Sequence, residues 1–590
     1  MKTKYLAILG MAVAVSLTSC GEDFLYKSPQ GAIDEAALTN ATGVDMLTTS
    51  AYGYLTEGNF GGTPINWTFG SIYGGDANKG SNAGDQPPIN NMELYTVINT
   101  NSYINDKWVA VYNGVSRCNK ALNVISKLTD VSADQAVRKG ELEFLRAFYY
   151  FDGIKVFGPY MPWVDDTMTA IENNPLVHND VDIYDNVLAD LDAAIAALPE
   201  KQSSPGRANK TAAKALKARV LMQRGDLATA KPILKDVIDN GVTASGDKLG
   251  LEDDLKANWD APRDNGKESI FAIQYSVDDQ ANSNYSMCLC YPYGGSSRTT
   301  CCGFYQPTND LANSYKVDAD GLPYLDDEYR EGTMVSKATG DDSQVLNTPT
   351  DVAVDPRLDF TVGRIGIPYM DWESDDAPGI ILTPEASWIR EVSNGGSFLP
   401  KKHVYTMASE LAGLEGTTQT GWAPGGAMNY QMISFRDVLL LYAECCADAG
   451  ELSTAMQYVN MVRARAAKDV NIVKKADGTP AANYKVGLYP ASHKAFSDQA
   501  TCIKAVRMER KLELAMEGQR WFDLARWGGD YMSNTLKNYL NFEKKFVPKY
   551  EGAAVLNPAK TMFPVPQTQI ETMGNDADGN PYLVEPTAWQ

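Results

Sequence analysis

From Gly206 to Gly241 apolar residues recur at the period of an α-helix, in two runs broken at Gly225-Asp226 and stopped by Gly241, which predicts an αα-hairpin. Ala218 and Leu221 on the first run, with Ala230, Leu234 and Val237 on the second, alternate small and large residues where the helices must touch. The two alanines stand twelve residues apart. The same spacing returns at Ala443 and Ala455, followed by Val459 and Val462, in FRDVLLLYAECCADAGELSTAMQYVNMVRARA.

This is the packing pattern of tetratricopeptide helix pairs. Two looser copies precede it. Helices around Met46 to Tyr54 and Trp108 to Leu128 would pair about Ala51 and Ala121, and Gly140 to Val156 would pair with Ile183 to Leu198, each pair interrupted by an insertion. A repeat cannot bury its apolar face alone, so four degenerate pairs must stack into one core, closed by the apolar helices from Thr501 to Trp527. The expected fold is therefore mainly α. Residues 242–429 break the pattern: they are rich in Gly, Pro, Asn, Asp and Tyr, with strand-like pieces such as Ser269 to Tyr275, and read as an irregular insertion lobe. The expected division is a signal segment at 1–19, a helical region at 20–241, the lobe at 242–429 and a second helical region at 430–590. Binding residues concentrate on loops carried by a rigid scaffold, which directs attention to the lobe and to the loop at 57–104.

The first residues, MKTKYLAILGMAVAVSLTSC, combine a basic start with an apolar run too short to span a bilayer. Their ending, Leu17-Thr18-Ser19-Cys20, resembles a bacterial lipobox, which implies acylation of Cys20 (palmitate or a similar chain) and an outer-membrane lipid anchor. Gly21-Glu22-Asp23 resembles the surface-export signal of Bacteroidetes lipoproteins and implies an address outside the cell.

A formal charge of −21, from 53 basic against 74 acidic residues, repels phosphate backbones and argues against nucleic acid as partner. The three histidines, His178, His403 and His493, leave few candidates for a general base or zinc ligand. No G-x-S-x-G, H-E-x-x-H, P-loop or dinucleotide glycine pattern occurs, so catalysis is not expected, nor any cofactor or metal. Cys118, Cys445, Cys446 and Cys502 lie in helical patterns and read as small buried hydrophobes. Cys288, Cys290, Cys301 and Cys302 leave a local disulfide open, since their spacing does not match a zinc ribbon. Asp318-Ala-Asp320-Gly321 hints at calcium but lacks the glycine of an EF-hand loop, so an Asx-rich turn is expected.

The stretch Arg507 to Gly528, RMERKLELAMEGQRWFDLARWG, resembles the C-terminal hallmark of the RagB/SusD family of nutrient-capturing outer-membrane lipoproteins. CGEDFL at Cys20, DANKG at Asp76, FYQPTNDL at Phe304, DPRLDFTVGRIGIPYMDW at Asp355 and FPVPQTQI at Phe563 follow the family's order. The resemblance implies a SusD-like fold, no catalysis, capture of an oligosaccharide (or, in some members, a peptide), and delivery to a SusC-like TonB-dependent transporter. Within the hallmark, Glu509, Glu513, Glu517, Arg510, Arg520 and Arg526 are expected to form charge ladders on a helix while Trp521, Phe522 and Trp527 pack. Glu513 and Glu517 are not read as a catalytic pair, because nothing nearby supplies a water-positioning partner.

A sugar offers hydroxyls and one apolar face per ring, so its site needs flat aromatic platforms edged by hydrogen-bonding side chains. The lobe supplies Tyr291, Tyr293 and Tyr305 around Gly294-Gly295-Ser296-Ser297, together with Arg364 and with Trp388 next to Arg390. The first insertion supplies Tyr73, Asp76, Asn78 and Tyr95. These are the expected ligand contacts, whereas Trp67, Trp108 and Trp163 are assigned to the scaffold core.

Overall fold

A computed structural model describes residues 35–58, 60–168, 176–277, 290–293, 302–334, 336–338, 341–347, 349–371, 389–416 and 425–590. The signal segment, Cys20, Cys288, Cys301, Gly294 to Ser297 and Trp388 lie outside them. Eight helices make the four pairs: α1 (Ala41–Gly53) with α2 (Ser102–Ser126), α3 (Ala133–Phe157) with α4 (Tyr184–Ala197), α5 (Lys210–Arg224) with α6 (Leu227–Asn240), and α7 (Phe435–Asp448) with α8 (Leu452–Ala466). Each packs on the next in an unbroken stack, and α9 (Gln499–Glu513) closes it against α7 and α8. Ala218, Ala230, Ala443 and Ala455 are fully buried, as the twelve-residue spacing requires, and so are Ala51 and Ala121 of the first, interrupted pair.

Local chemistry sets the boundaries. Asn40, Asn101, Asn209 and Asp498 each accept a backbone N–H at a helix start, and Ser132 with Gln135 forms a capping box. Gly225, in the left-handed conformation at φ 89°, ends α5. The closing helices expected from Thr501 to Trp527 are two, α9 and α10 (Arg520–Arg526), separated where Met516 (φ 63°) and Gly518 (φ 68°) turn the chain, and α11 (Gly529–Glu543) follows.

The inserts carry short two-stranded pairings between remote segments: β1 (Ala77–Gly80) with β3 (Phe304–Pro307), and β2 (Ser269–Ile273) with β4 (Tyr430–Ser434), all antiparallel. Three reversals share the sequence x-Ala-Asp-Gly-x-Pro-x and one geometry, at Asp318–Tyr324, Lys475–Ala481 and Asp576–Tyr582. In each the first N–H donates to the fifth carbonyl, at 2.9, 2.8 and 2.8 Å, and the glycine has φ between 75° and 86°. The Asp318 carboxylate accepts from the N–H groups of Asp320 and Leu322, both at 2.9 Å, so it is committed inside the Asx turn.

Beneath the stack lies a buried ionic centre. Glu509 meets Arg357 (2.7 Å) and Arg463 (3.0 Å). Glu513 meets Arg357 (2.9 Å) and Arg465, and Glu517 meets Lys402 (2.8 Å) and Arg436 (3.0 Å). Glu268 joins Arg436 (3.2 Å) and Arg465 (2.7 Å), and Asp355 pairs with Arg357 (2.7 Å). The carboxylates of Glu268, Asp355, Glu509, Glu513 and Glu517 thus balance Arg357, Lys402, Arg436, Arg463 and Arg465, all buried. The hallmark glutamates do not form a ladder along their own helix; every partner named here comes from another element. Breaking such a set is costly because it strands an unpaired charge, and Arg436→Met is expected to lower stability by about 3–5 kcal/mol, read as a lower urea midpoint.

Burial alone would raise the Glu513 carboxyl, but Arg465, Arg357 and Arg436 hold it down at about 2. A depressed carboxylate contributes stability above its unfolded value near 4.5, which is lost as pH falls from there through about 2. Stability measured across that window should fall more gently with acid in Glu513→Gln than in the wild type.

Candidate functional site

The structure separates the sequence-derived contacts into one exposed residue and seven buried ones. Tyr73, edge-on to Trp521 at 5.3 Å and tilted against Phe563 at 4.6 Å, belongs to the aromatic core. The Tyr95 hydroxyl donates to the Tyr73 carbonyl at 3.0 Å. The Tyr305 hydroxyl donates to Ser71 Oγ at 2.8 Å, its ring edge-on to Trp67. Tyr291 packs on Tyr405 at 5.4 Å. Asn78 donates to the Gly395 carbonyl at 3.1 Å and accepts from the Tyr550 hydroxyl at 2.7 Å. Asp76 ties strand to hallmark by accepting from the Met516 N–H at 3.4 Å, and burial pushes its carboxyl up to about 6 against the pull of Arg520 and Lys511. Arg364 is clamped by both carboxylate oxygens of Asp359, at 2.7 and 2.8 Å.

With at most 7% of their surface exposed, these seven offer no face to a sugar, and the expectation that they touch ligand is corrected. They are loop residues in sequence. In space the inserts join the same continuous core as the helices, and amphipathic tyrosines help fill it, Tyr95 and Tyr305 with their hydroxyls bonded. Trp388 lies outside the described residues. Trp67 and Trp108 are buried as expected, while Trp163 is only partly so. Cys118, Cys445, Cys446 and Cys502 are buried free thiols; Cys290 is buried as well, and Cys302 is disulfide-bonded.

The remaining residue, Tyr293, is 38% exposed. The Arg390 guanidinium lies 5.1 Å from its ring centre. Arg390 Nη1 donates to Ser81 Oγ at 2.9 Å and to Asp85 Oδ2 at 3.0 Å, and Ser81 in turn donates to Asp85 at 3.0 Å. Three remote segments therefore meet at one rim: the loop after β1, the chain at 290–293, and the chain entering the short helix Val392–Gly395. The Asn394 side chain, donating to the Gly80 carbonyl at 2.8 Å, fastens the third segment to the first. The rim presents a phenol face, a carboxylate and a guanidinium, all partly solvent-facing. Arg390 was legible beside Trp388. Ser81 and Asp85 were not, because nothing in Ser-Asn-Ala-Gly-Asp distinguishes a turn that grips an arginine from one that does not.

A separate open groove of about 440 Å³, lined by Met161, Trp163, Leu176, His178, Val181 and Asn186, lies on the helical side. One face of its Trp163 is already stacked on Tyr150 at 4.5 Å.

The SusD family model matches residues 267–582, and a second model, described as starch-binding and associating with the outer membrane, matches residues 32–222. The chain belongs to the SusD family. Membership places it among binding proteins and not among enzymes. It is 23% identical to the SusD-like protein P2 of Formosa agariphila (87% of this chain, 89% of the relative) and 23% identical to a SusD-like protein of Bacteroides ovatus (92% and 85%). Solved structures share the fold: a SusD-like protein of Bacteroides fragilis at TM-score 0.65 and 19% identity, covering 95% of this chain and all of that one, and a laminarin-binding SusD-like protein at 0.60 and 18%, covering 93% and 99%. The surface glycan-binding protein A of Bacteroides thetaiotaomicron, solved with laminarihexaose, aligns at TM-score 0.60 and 18% identity over 92% of this chain and 99% of that one.

The buried and exposed tyrosines should separate in stability. Tyr305→Ala is expected to cost about 3–5 kcal/mol, as removal of a packed core ring does, whereas Tyr293→Ala should stay within about 0.5 kcal/mol. Urea unfolding of the two variants measures both.

Proposed function

We propose that this protein is a lipoprotein of the outer membrane, anchored through acylated Cys20 and facing the exterior, that captures oligosaccharide at the Tyr293–Arg390 rim and passes it to a SusC-like TonB-dependent transporter. The observation that carries the binding reading is the partly exposed ring of Tyr293 beside a guanidinium already fixed by Ser81 and Asp85. An apolar ring face suits the C–H face of a sugar, and adjoining donors and acceptors suit its hydroxyls. Fixing Arg390 before ligand arrives removes part of the ordering cost that weakens exposed contacts. Family membership, and the laminarin and laminarihexaose bound by two proteins of the same fold, support a glycan. The lipid anchor and the export address rest on the lipobox-like Leu17 to Cys20 and the acidic residues after it.

Native affinity gels cast with laminarin and a panel of other polysaccharides test the reading. Retention is expected in at least one gel, and Tyr293→Ala or Arg390→Ala should weaken it roughly tenfold, corresponding to about 1.4 kcal/mol. Wild-type retention left unchanged in both variants would remove the rim as the site. Absence of retention in every gel, with peptide co-purifying from culture, would favour peptide as cargo.

A further inference from the structure

Lys79 is a buried lysine directly behind the rim, with no exposed surface. Among the described residues its ammonium reaches no carboxylate within hydrogen-bond distance. It donates instead to the carbonyls of Asn82 at 2.9 Å and Asp85 at 2.8 Å, with that of Ala83 at 3.5 Å. Those three belong to one loop, which enters at Ser81 (φ 51°) and leaves at Gln86 (φ 49°), both in the left-handed region that is strained for side chains other than glycine. The loop's N–H groups are taken up from the other direction, since Asn82 Oδ1 accepts from Gly84 and Asp85 at 3.1 and 3.0 Å. Loop carbonyls thus converge on one cation while the Ser81 and Asp85 side chains point to Arg390.

We infer that Lys79 is a positioning residue of the rim: its ammonium is a tethered cation around which residues 81–86 fold, so that Ser81 and Asp85 hold Arg390 beside Tyr293. Its importance for ligand rests on the glycan reading above; its role in shaping the loop does not. Other groups fit this role. Glu93 is occupied elsewhere, accepting the Lys79 backbone N–H at 2.7 Å and pairing with Lys549 at 2.7 Å. Burial lowers the Lys79 ammonium to about 8, with Lys549 acting in the same direction and Glu93, Asp85 and Glu391 opposing, which leaves it charged at neutral pH. A charged donor makes stronger bonds to carbonyls than a neutral one; without it the Asp85 carbonyl loses its donor, while the Asn82 and Ala83 carbonyls keep the Asp85 N–H at 3.2 Å and the Asn90 side chain at 2.9 Å.

Three measurements on the full chain test this. In wild type labelled with ¹⁵N-lysine, the Lys79 ammonium should give a slowly exchanging signal at pH 7, unlike solvent-exposed lysines; its absence overturns the enclosure. In Lys79→Met, which keeps the apolar stem, the amides of Gly84 and Asp85 should exchange at least tenfold faster while those of α2 keep wild-type rates; unchanged exchange at 84–85 overturns the proposal. In Lys79→Ala, n-propylammonium, which replaces the missing stem and charge, should restore protection, and equal rescue by 1-propanol would show that only filled space matters and overturn the role of charge. Retention of the same proteins in laminarin gels is read separately. If wild type is not retained, the glycan reading fails for this probe while the exchange data still decide on Lys79; if it is retained, Lys79→Met should weaken retention at least tenfold.

Discussion

Five carboxylates and five cations share one buried centre, and the architecture depends on that set being complete. Each ion taken from water carries a penalty of several kcal/mol, which only close partners of opposite sign offset. Glu509 and Glu513 come from α9 and Glu517 from the turn after it, Arg436 from α7, Arg463 and Arg465 from α8, Glu268 from the residue before β2, and Asp355, Arg357 and Lys402 from the lobe. None of these elements can dock while the others are absent without burying an unmatched charge. Helical scaffold and irregular inserts are therefore obliged to assemble as one body. An apolar centre of equal volume could be as stable, but it would tolerate sliding of the lobe over the helices, which paired ions at fixed distances do not.

The helical half was readable because its information is local. A small residue twelve positions after another and a glycine stop act within a few turns of chain, and the two pairs that carry this spacing formed where it placed them, as did the two looser, interrupted pairs. The Asx turn at Asp318 was readable for the same reason. The lobe was not, since its order comes from pairings such as Ala77 with Pro307, which no local pattern announces. The same limit explains the tyrosines. Tyr291 and Tyr293 are two residues apart with similar neighbours, yet one is 1% exposed and the other 38%. Alternation along an extended segment puts successive odd positions on one face, so periodicity would have grouped them together. What separates them is a neighbour remote in sequence: Tyr405 covers the first, while the second meets Arg390 at the surface.

The hallmark stretch illustrates a different failure. Glutamates at 509, 513 and 517 fit an exposed charge ladder as well as a buried ionic stripe, because spacing fixes only the face on which residues lie and not what covers that face. Burial was decided by five cations, three of them (Arg357, Lys402 and Arg436) outside the helix that precedes α9 in sequence. Sequence did exclude the catalytic alternative correctly in physical terms: with Arg357, Arg465 and Arg436 around it, Glu513 stays ionised well below neutral pH and has no substrate-facing surface from which to accept a proton.

Rigidity in the centre and modest chemistry at the rim belong together. A single tyrosine face and a few exposed hydrogen bonds yield little free energy beyond what ordering them consumes. Such a site gains most from having its groups already in place. Arg390, a long side chain with much rotamer freedom to lose, is held from one side by Ser81 and Asp85 and lies against Tyr293. The loop that supplies those two oxygens is fastened to Arg390's own segment by Asn394 and to β3 by the Ser81 N–H, which donates to the Gly303 carbonyl at 2.6 Å. Strands β1 and β3 rest on the aromatic core built by the tyrosines that sequence had assigned to ligand. By filling the space beneath the rim, those residues fix the frame on which the few exposed groups are displayed.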